Sequence, residues 1–111
     1  MITGFDHLIV LVNDRDAAIE TYRRLGFDVR VGGEHPAFGS HNALIALADG
    51  TYIELVAFMD AARAAQSFWG AALAKLRAGE GWGGFALASN DLANDVAQLR
   101  TRALNIGEPS A

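Results

Sequence analysis

The sequence predicts an α+β fold: a strand–helix–strand–strand–strand unit, then a helix, then one more strand and helix. Three observations point there. Apolar residues switch between strand-like runs and the three-and-four spacing of an amphipathic helix. An Asp49-Gly50 pair separates two apolar runs, a strong short-range hairpin signal. Finally, HLIVLVNDRDAAIETYRRLGF lines up with GFALASNDLANDVAQLRTRAL, each a strand ending in Asn-Asp and followed by an amphipathic helix. The second copy lacks the three strands that follow in the first.

Taken in order, TGFDHLIVLV (3–12) is apolar almost throughout and β-branched at Ile9, Val10 and Val12, as strands covered on both faces are. Asn13-Asp14 stops it and starts a helix in which Ala18, Ile19, Tyr22 and Leu25 recur at helical spacing. Arg23 and Arg24 suit the negative end of that helix, and Gly26 ends it. FDVRVGG (27–33) alternates as a half-exposed strand, and a loop with Pro36 and Gly39 leads into a third strand, HNALIALA (41–48). Beyond the turn, Ile53, Leu55 and Ala57 fall on one face of a fourth strand, with Tyr52, Glu54, Val56 and Phe58 on the other. Residues 60–78 read as one alanine-rich helix with Ala65, Phe68, Ala72 and Leu76 on a stripe and Gly79 as its stop. GEGWGG (79–84) follows a helix and opens a strand, the reverse of a phosphate loop, and reads as a flexible link with Trp82 as an apolar plug. FALAS (85–89) is a short strand, Leu92, Val96, Leu99 and Ala103 mark the face of a last helix, and NIGEPSA holds nothing strand-like. The expected organisation is a first unit at 1–59, a connecting helix and link at 60–81, and a partial second unit at 82–111.

Composition narrows the functions. The 111 residues are 51% hydrophobic and 20% charged with a net charge of −4, as in a single small domain. No Lys/Arg cluster suggests nucleic acid or an anionic membrane as a partner. The lack of cysteine removes disulfides, thiolate metal sites and thiol nucleophiles. No basic start with an apolar stretch and no apolar run of about 18 residues is present, so a cytoplasmic protein is expected.

Glu54 is the residue that asks for an explanation. It sits mid-strand between apolar neighbours, where an unpaired carboxylate is costly, so a partner, metal or ligand must compensate it. The stretches FDHLIVLVNDRDAAIETYRRLGFDV, GSHNALIAL and DGTYIELVAF together resemble the glyoxalase-like branch of the vicinal oxygen chelate superfamily, closely over 4–58 and more weakly over 82–104. The resemblance implies a mixed, cupped sheet that encloses a small-molecule site. It also implies a divalent metal, because metal-dependent members place a His on the first strand and a Glu on the fourth strand of each unit. His7 and Glu54 occupy those positions. Zn²⁺, Ni²⁺, Mn²⁺ and Fe²⁺ all suit such a half-site, and Glu54 would be the catalytic base.

The pattern of the strands agrees, since His7 shares a face with Ile9 and Leu11 and the first and fourth strands can lie side by side. The repeat, however, sets Gly84 opposite His7, and the counterpart of Glu54 falls on a strand the second copy lacks. A third ligand would then come from His41, His35 or a second subunit. His41 and Asn42, at the entry to the third strand, and Tyr52, on the Glu54 face, are the expected ligand contacts; Trp69 and Trp82 are assigned to packing. Several readings remain open. The pair is a metal half-site, a direct contact for an organic ligand, or a charge-assisted hydrogen bond that neutralises two buried groups. The function is accordingly a metal-dependent lyase, isomerase or dioxygenase, a metal-free protein that sequesters or senses a ligand, or an incomplete unit acting in assembly. With one and a half units, a homodimer is expected, with residues 83–104 exchanged between subunits about a hinge at 79–84 as one form of it.

Overall fold

The computed structural model describes residues 1–108. The closing Pro109-Ser110-Ala111, where the sequence predicts no strand, lies outside the described residues. Among these run strands β1 (Ile2–Leu11), β2 (Val29–His35), β3 (Ser40–Ala46), β4 (Tyr52–Phe58) and β5 (Gly81–Ser89) and helices α1 (Arg15–Arg24), α2 (Ala61–Ala65), α3 (Gly70–Ala78) and α4 (Leu92–Thr101), with a 3-10 turn at Pro36–Phe38. The strands form one open, mixed sheet in the order β2-β3-β4-β1-β5. The first unit is closed by the parallel pairing of β1 with β4, and β5 adds antiparallel to the other edge of β1.

Local chemistry sets the elements. The Asp14 side chain accepts from the Ala17 backbone N–H at 3.1 Å, capping α1, and Gly26 leaves the helix with φ 101°. In the hairpin between β3 and β4, Gly50 N–H donates to the Leu47 carbonyl and Leu47 N–H to Thr51. The turn is therefore centred on Ala48-Asp49, and Gly50 (φ 88°) is the left-handed residue that rejoins the strands.

The sheet separates two cores. On one face α1 lays Ala18 and Ile19 against Val12, Val29, Ala43, Ile45, Leu55 and Ala57. On the other, Leu11, Val56 and Leu76 are buried with Ile9, Phe58, Trp69 and Ala72 packed around them. The strand faces follow the period-two pattern read from the sequence, and α3 covers only part of this second, cup-like face.

Two segments differ from expectation. The helix expected over 60–78 is two helices, broken at Gln66–Trp69. Ser67 is the reason: its hydroxyl donates to the Ala64 carbonyl and accepts from the Trp69 N–H, taking over backbone bonds that a continuous helix would make. Only half of the expected stripe survives: Ala72 and Leu76 pack on the second core, whereas Ala64 is buried rather than Ala65 and Phe68 is exposed. The second difference is the glycine-rich link. Gly81 to Gly84 belong to β5, paired with β1 along its length, so the expected hinge is strand. Gly83 fits there because a side chain would collide with Leu11 and Ile9. Trp82 is no plug; it is half exposed on the sheet.

Beyond β5 the packing thins, and of the residues of α4 only Val96 is buried. The radius of gyration, 15.1 Å, exceeds the roughly 13 Å of a compact domain of this length, as an open sheet requires. Among the described residues, no helix is long and apolar enough to cross a membrane.

Candidate functional site

β1 and β4 carry the chemistry. Ile9 pairs with Glu54 and His7 with Tyr52, which places the His7 and Glu54 side chains diagonally on the cup face, each about one-sixth exposed. His7 Nε2 lies 3.5 Å from Glu54 Oε1. The other ring nitrogen is held too: Nδ1–H donates to Asp6 Oδ2 at 2.7 Å. Asp6 is the sequence neighbour of His7, and on a regular strand it would point away. The pairing of β1 with β5 slips between Phe5 and His7, and this bulge frees Asp6 to reach round to the ring. Tyr52 stacks flat on the imidazole, with ring centroids 4.5 Å apart. Burial first, then the charges of Asp6 and Glu54, raise the Tyr52 hydroxyl above its ordinary value.

Glu54 is clamped from its other side. Asn42 Nδ2 donates to Glu54 Oε2 at 2.7 Å, and Asn42 Oδ1 accepts from Gly33 N–H at 2.9 Å. The resulting chain of contacts runs Asp6–His7–Glu54–Asn42–Gly33. Its middle three, His7, Glu54 and Asn42, form the polar floor of a groove of about 260 Å³ whose walls include Phe38, Val56, Phe68 and Trp69, with His35 and Ser40 at the β2–β3 end. Ser40 Oγ is buried and has no hydrogen-bond partner among the described residues.

The residues named from sequence are thus distributed unevenly. His7, Glu54 and Asn42 come together. Asn42, expected to meet a bound carbonyl, spends its amide on Glu54 and Gly33. Tyr52 backs His7 and faces a neighbouring hollow with Phe5 and Leu47 rather than this groove. His41 borders the groove where β3 begins, and its register partner is Ala57, on the α1-covered face. Its imidazole answers to the charges there, with burial and then Arg15 lowering its pKa against Asp16, Glu34 and Asp14. Adjacent strand residues cannot both face the cup, and Asn42 holds that place. Trp69, assigned to packing, does pack on Phe58 and is also a wall of the groove.

Asp6, Phe38, Phe68 and Ser40 were not expected at the site. Asp6 depends on a bulge and Phe68 on a helix break, neither of which periodicity reveals.

The metal implied by the resemblance was weighed against these donors. Glu54 Oε2 is committed to Asn42. Gly84 offers no side chain, and a Cβ built there meets nothing within 4 Å, so the corresponding corner is open. Among the described residues, no three His, Cys, Asp or Glu stand close enough to hold an ion. A catalytic metal generally takes three protein donors, so the residues present do not make up such a site within this chain.

The glyoxalase-like domain family matches residues 5–110. The chain belongs to this family. Among solved structures, this glyoxalase-like domain is similar to a Streptomyces coelicolor methylmalonyl-CoA epimerase variant in complex with 2-nitronate-propionyl-CoA. They share 28% identity over 95% of this chain and 75% of that one, with a TM-score of 0.74. Methylmalonyl-CoA epimerase from Mycobacterium tuberculosis is similar at 29% identity over 94% of this chain and 67% of that one, TM-score 0.75. A hypothetical protein from Staphylococcus aureus, at 20% identity over 96% of this chain and 44% of that one, shares the fold with a TM-score of 0.81. No curated protein matches in sequence.

Proposed function

We propose that this glyoxalase-like domain binds a small carbonyl compound in the groove and moves a proton at the carbon next to its carbonyl, an isomerase-type reaction. The observation that carries this reading is the His7–Glu54 pair on the floor of an apolar-walled groove. A carboxylate among apolar walls is a suitable base for a carbon acid, because water does not compete for it. In the forward step Glu54 Oε1 takes the proton, the C–H electron pair moves into the C–C bond, and the carbonyl π pair moves onto oxygen. His7, fixed by Asp6, stands beside the oxygen on which that charge develops. Return of the proton completes the exchange. Likeness to the epimerases, whose structures include complexes with 2-nitronate-propionyl-CoA and with methylmalonyl-CoA, favours an acyl thioester as the compound.

Calorimetric titration with propionyl-CoA and with 2-nitronate-propionyl-CoA tests this. The nitronate is planar and anionic beside the thioester, as an enolate is, and is expected to bind at least about tenfold tighter than propionyl-CoA. Equal affinities would contradict proton transfer.

A second reading, a metal-free protein that only sequesters its ligand, is favoured by Gly84 standing where a polar side chain would complete the cup; equal affinities are its signature.

We also infer that the working form is a homodimer. β5 is the sheet's edge, and Phe5, Trp82, Phe85 and Leu87 around it are each 45–60% exposed. A second copy would cover that edge.

A further inference from the structure

We propose that Asn42 is a positioning residue that reserves one oxygen of Glu54 for proton transfer, an inference resting on the chemistry proposed for Glu54. Between Val31 and Glu34 the pairing of β2 with β3 slips, so Gly32 and Gly33 together stand opposite Asn42 alone. This bulge turns Gly33 N–H out of the ladder and onto Asn42 Oδ1, 2.9 Å away. A backbone N–H can only donate, so the atom it meets is the amide oxygen, and the orientation of the Asn42 amide is decided. Nδ2 then points at Glu54 Oε2, 2.7 Å away.

A carboxylate oxygen facing an N–H at that distance is an acceptor. Oε2 is therefore tied down, and the proton that Glu54 receives goes to Oε1, the oxygen turned toward His7. Asn42 is about nine-tenths buried, so water does not replace it easily.

Gly32 completes the device. A Cβ there would lie only 1.9 Å from Asn42 Oδ1 and 3.0 Å from its backbone oxygen, so a side chain at 32 would displace the amide. Asp at 42 could not donate to Glu54 without itself taking up a proton, and Leu would leave Oε2 unpaired. The bulge, the glycine and the amide thus form one unit acting through Glu54.

The test uses two variants and two measurements. α-Proton exchange of methylmalonyl-CoA and propionyl-CoA in D₂O is followed for wild type, Asn42→Leu and Gly32→Ala, with thermal melts to verify folding. Both variants are expected to lose about 10- to 100-fold in kcat with KM little changed, because the base is misplaced while the groove is intact. Gly32→Ala reaches Glu54 only through Asn42, so its loss separates positioning from contact. In ligand-free wild type, one Asn42 side-chain N–H proton should resonate downfield of ordinary primary amides, and move back in Glu54→Gln. Either variant folded with kcat within about twofold of wild type would overturn the proposal, as would an unshifted Asn42 amide. Exchange that survives Glu54→Gln instead contradicts the chemistry assigned to Glu54, and leaves the amide signature to decide the Asn42 contact.

Discussion

His7 has a carboxylate at each ring nitrogen, Asp6 at 2.7 Å and Glu54 at 3.5 Å, and this bracketing gives the site its order. Asp6 takes Nδ1–H and so fixes which nitrogen faces the groove, as a buried carboxylate does for a catalytic histidine elsewhere. The facing of His7 and Glu54 was legible in the sequence because period two places both on apolar faces and a β-α-β-β-β unit makes their strands neighbours. Asp6 was not legible, because it reaches His7 only through a bulge. The period-two rule that puts Asn42 on the cup face turns His41 toward α1, at the border of the groove. Two predictions belong to this scale. Burial and Arg15 hold His41 below its ordinary 6.5, so the unfolded chain binds that proton more readily than the folded one. The stability His41 contributes is complete above that value and declines as pH falls below it. Urea midpoints should therefore drop more between about pH 7.5 and pH 5.5 in wild type than in His41→Gln; equal drops would contradict the placement. Second, Ser40→Ala removes a buried hydroxyl that has no hydrogen-bond partner among the described residues. Stability should stay level or rise by up to about 1 kcal/mol in urea unfolding, and a loss would show that the hydroxyl has a partner.

At the scale of elements, strands and caps were legible where single residues determine them: Asp14 and Gly26 bound α1, and Asp49-Gly50 joins β3 to β4. The broken helix and the long β5 were not. Alanine-rich spacing continues straight through Gln66–Trp69, and only the Ser67 hydroxyl competing for backbone bonds reveals the break. Glycines at 81–84 suggest flexibility, whereas Gly83 serves close packing against Leu11 and Ile9. The break matters for function, since it sets Phe68 and Trp69 against the groove. Another glycine allows a test of the turn that brings β3 to β4 and α2. Gly39 has φ 66°, and a Cβ there would come 2.3 Å from the Asp60 carbonyl, while the Gly39 carbonyl accepts from Met59 and Asp60 N–H groups. Gly39→Ala should cost roughly 2 kcal/mol or more in urea unfolding. Gly33→Ala, with ordinary φ and open space around its Cβ, should leave stability level or raise it by up to about 1 kcal/mol. Similar effects at the two positions would contradict the conformation assigned to Gly39.

Across the whole molecule a β-α-β-β-β unit is followed by two helices, a strand and a last helix, and β5 forms one edge of the open sheet. The fold was readable from the order of elements and the repeated Asn-Asp pair. The state of assembly is a property of surfaces, which hydrophobic periodicity does not report. Light scattering at high micromolar concentration should give the mass of two chains, and Phe85→Lys, which charges the exposed edge, should return it to one; a wild-type monomer would contradict the inferred dimer. Residues 81–84 of the expected hinge are part of β5, so exchange of residues 83–104 would have to pivot at 79–80. The chemistry proposed for the groove is read out by α-proton exchange of an acyl thioester in D₂O. Wild type should incorporate deuterium at the carbon beside the thioester of methylmalonyl-CoA or propionyl-CoA. Glu54→Gln, which keeps the shape and removes the base, should slow this by about 100-fold or more. Deuterium incorporation at the wild-type rate in Glu54→Gln would contradict the account.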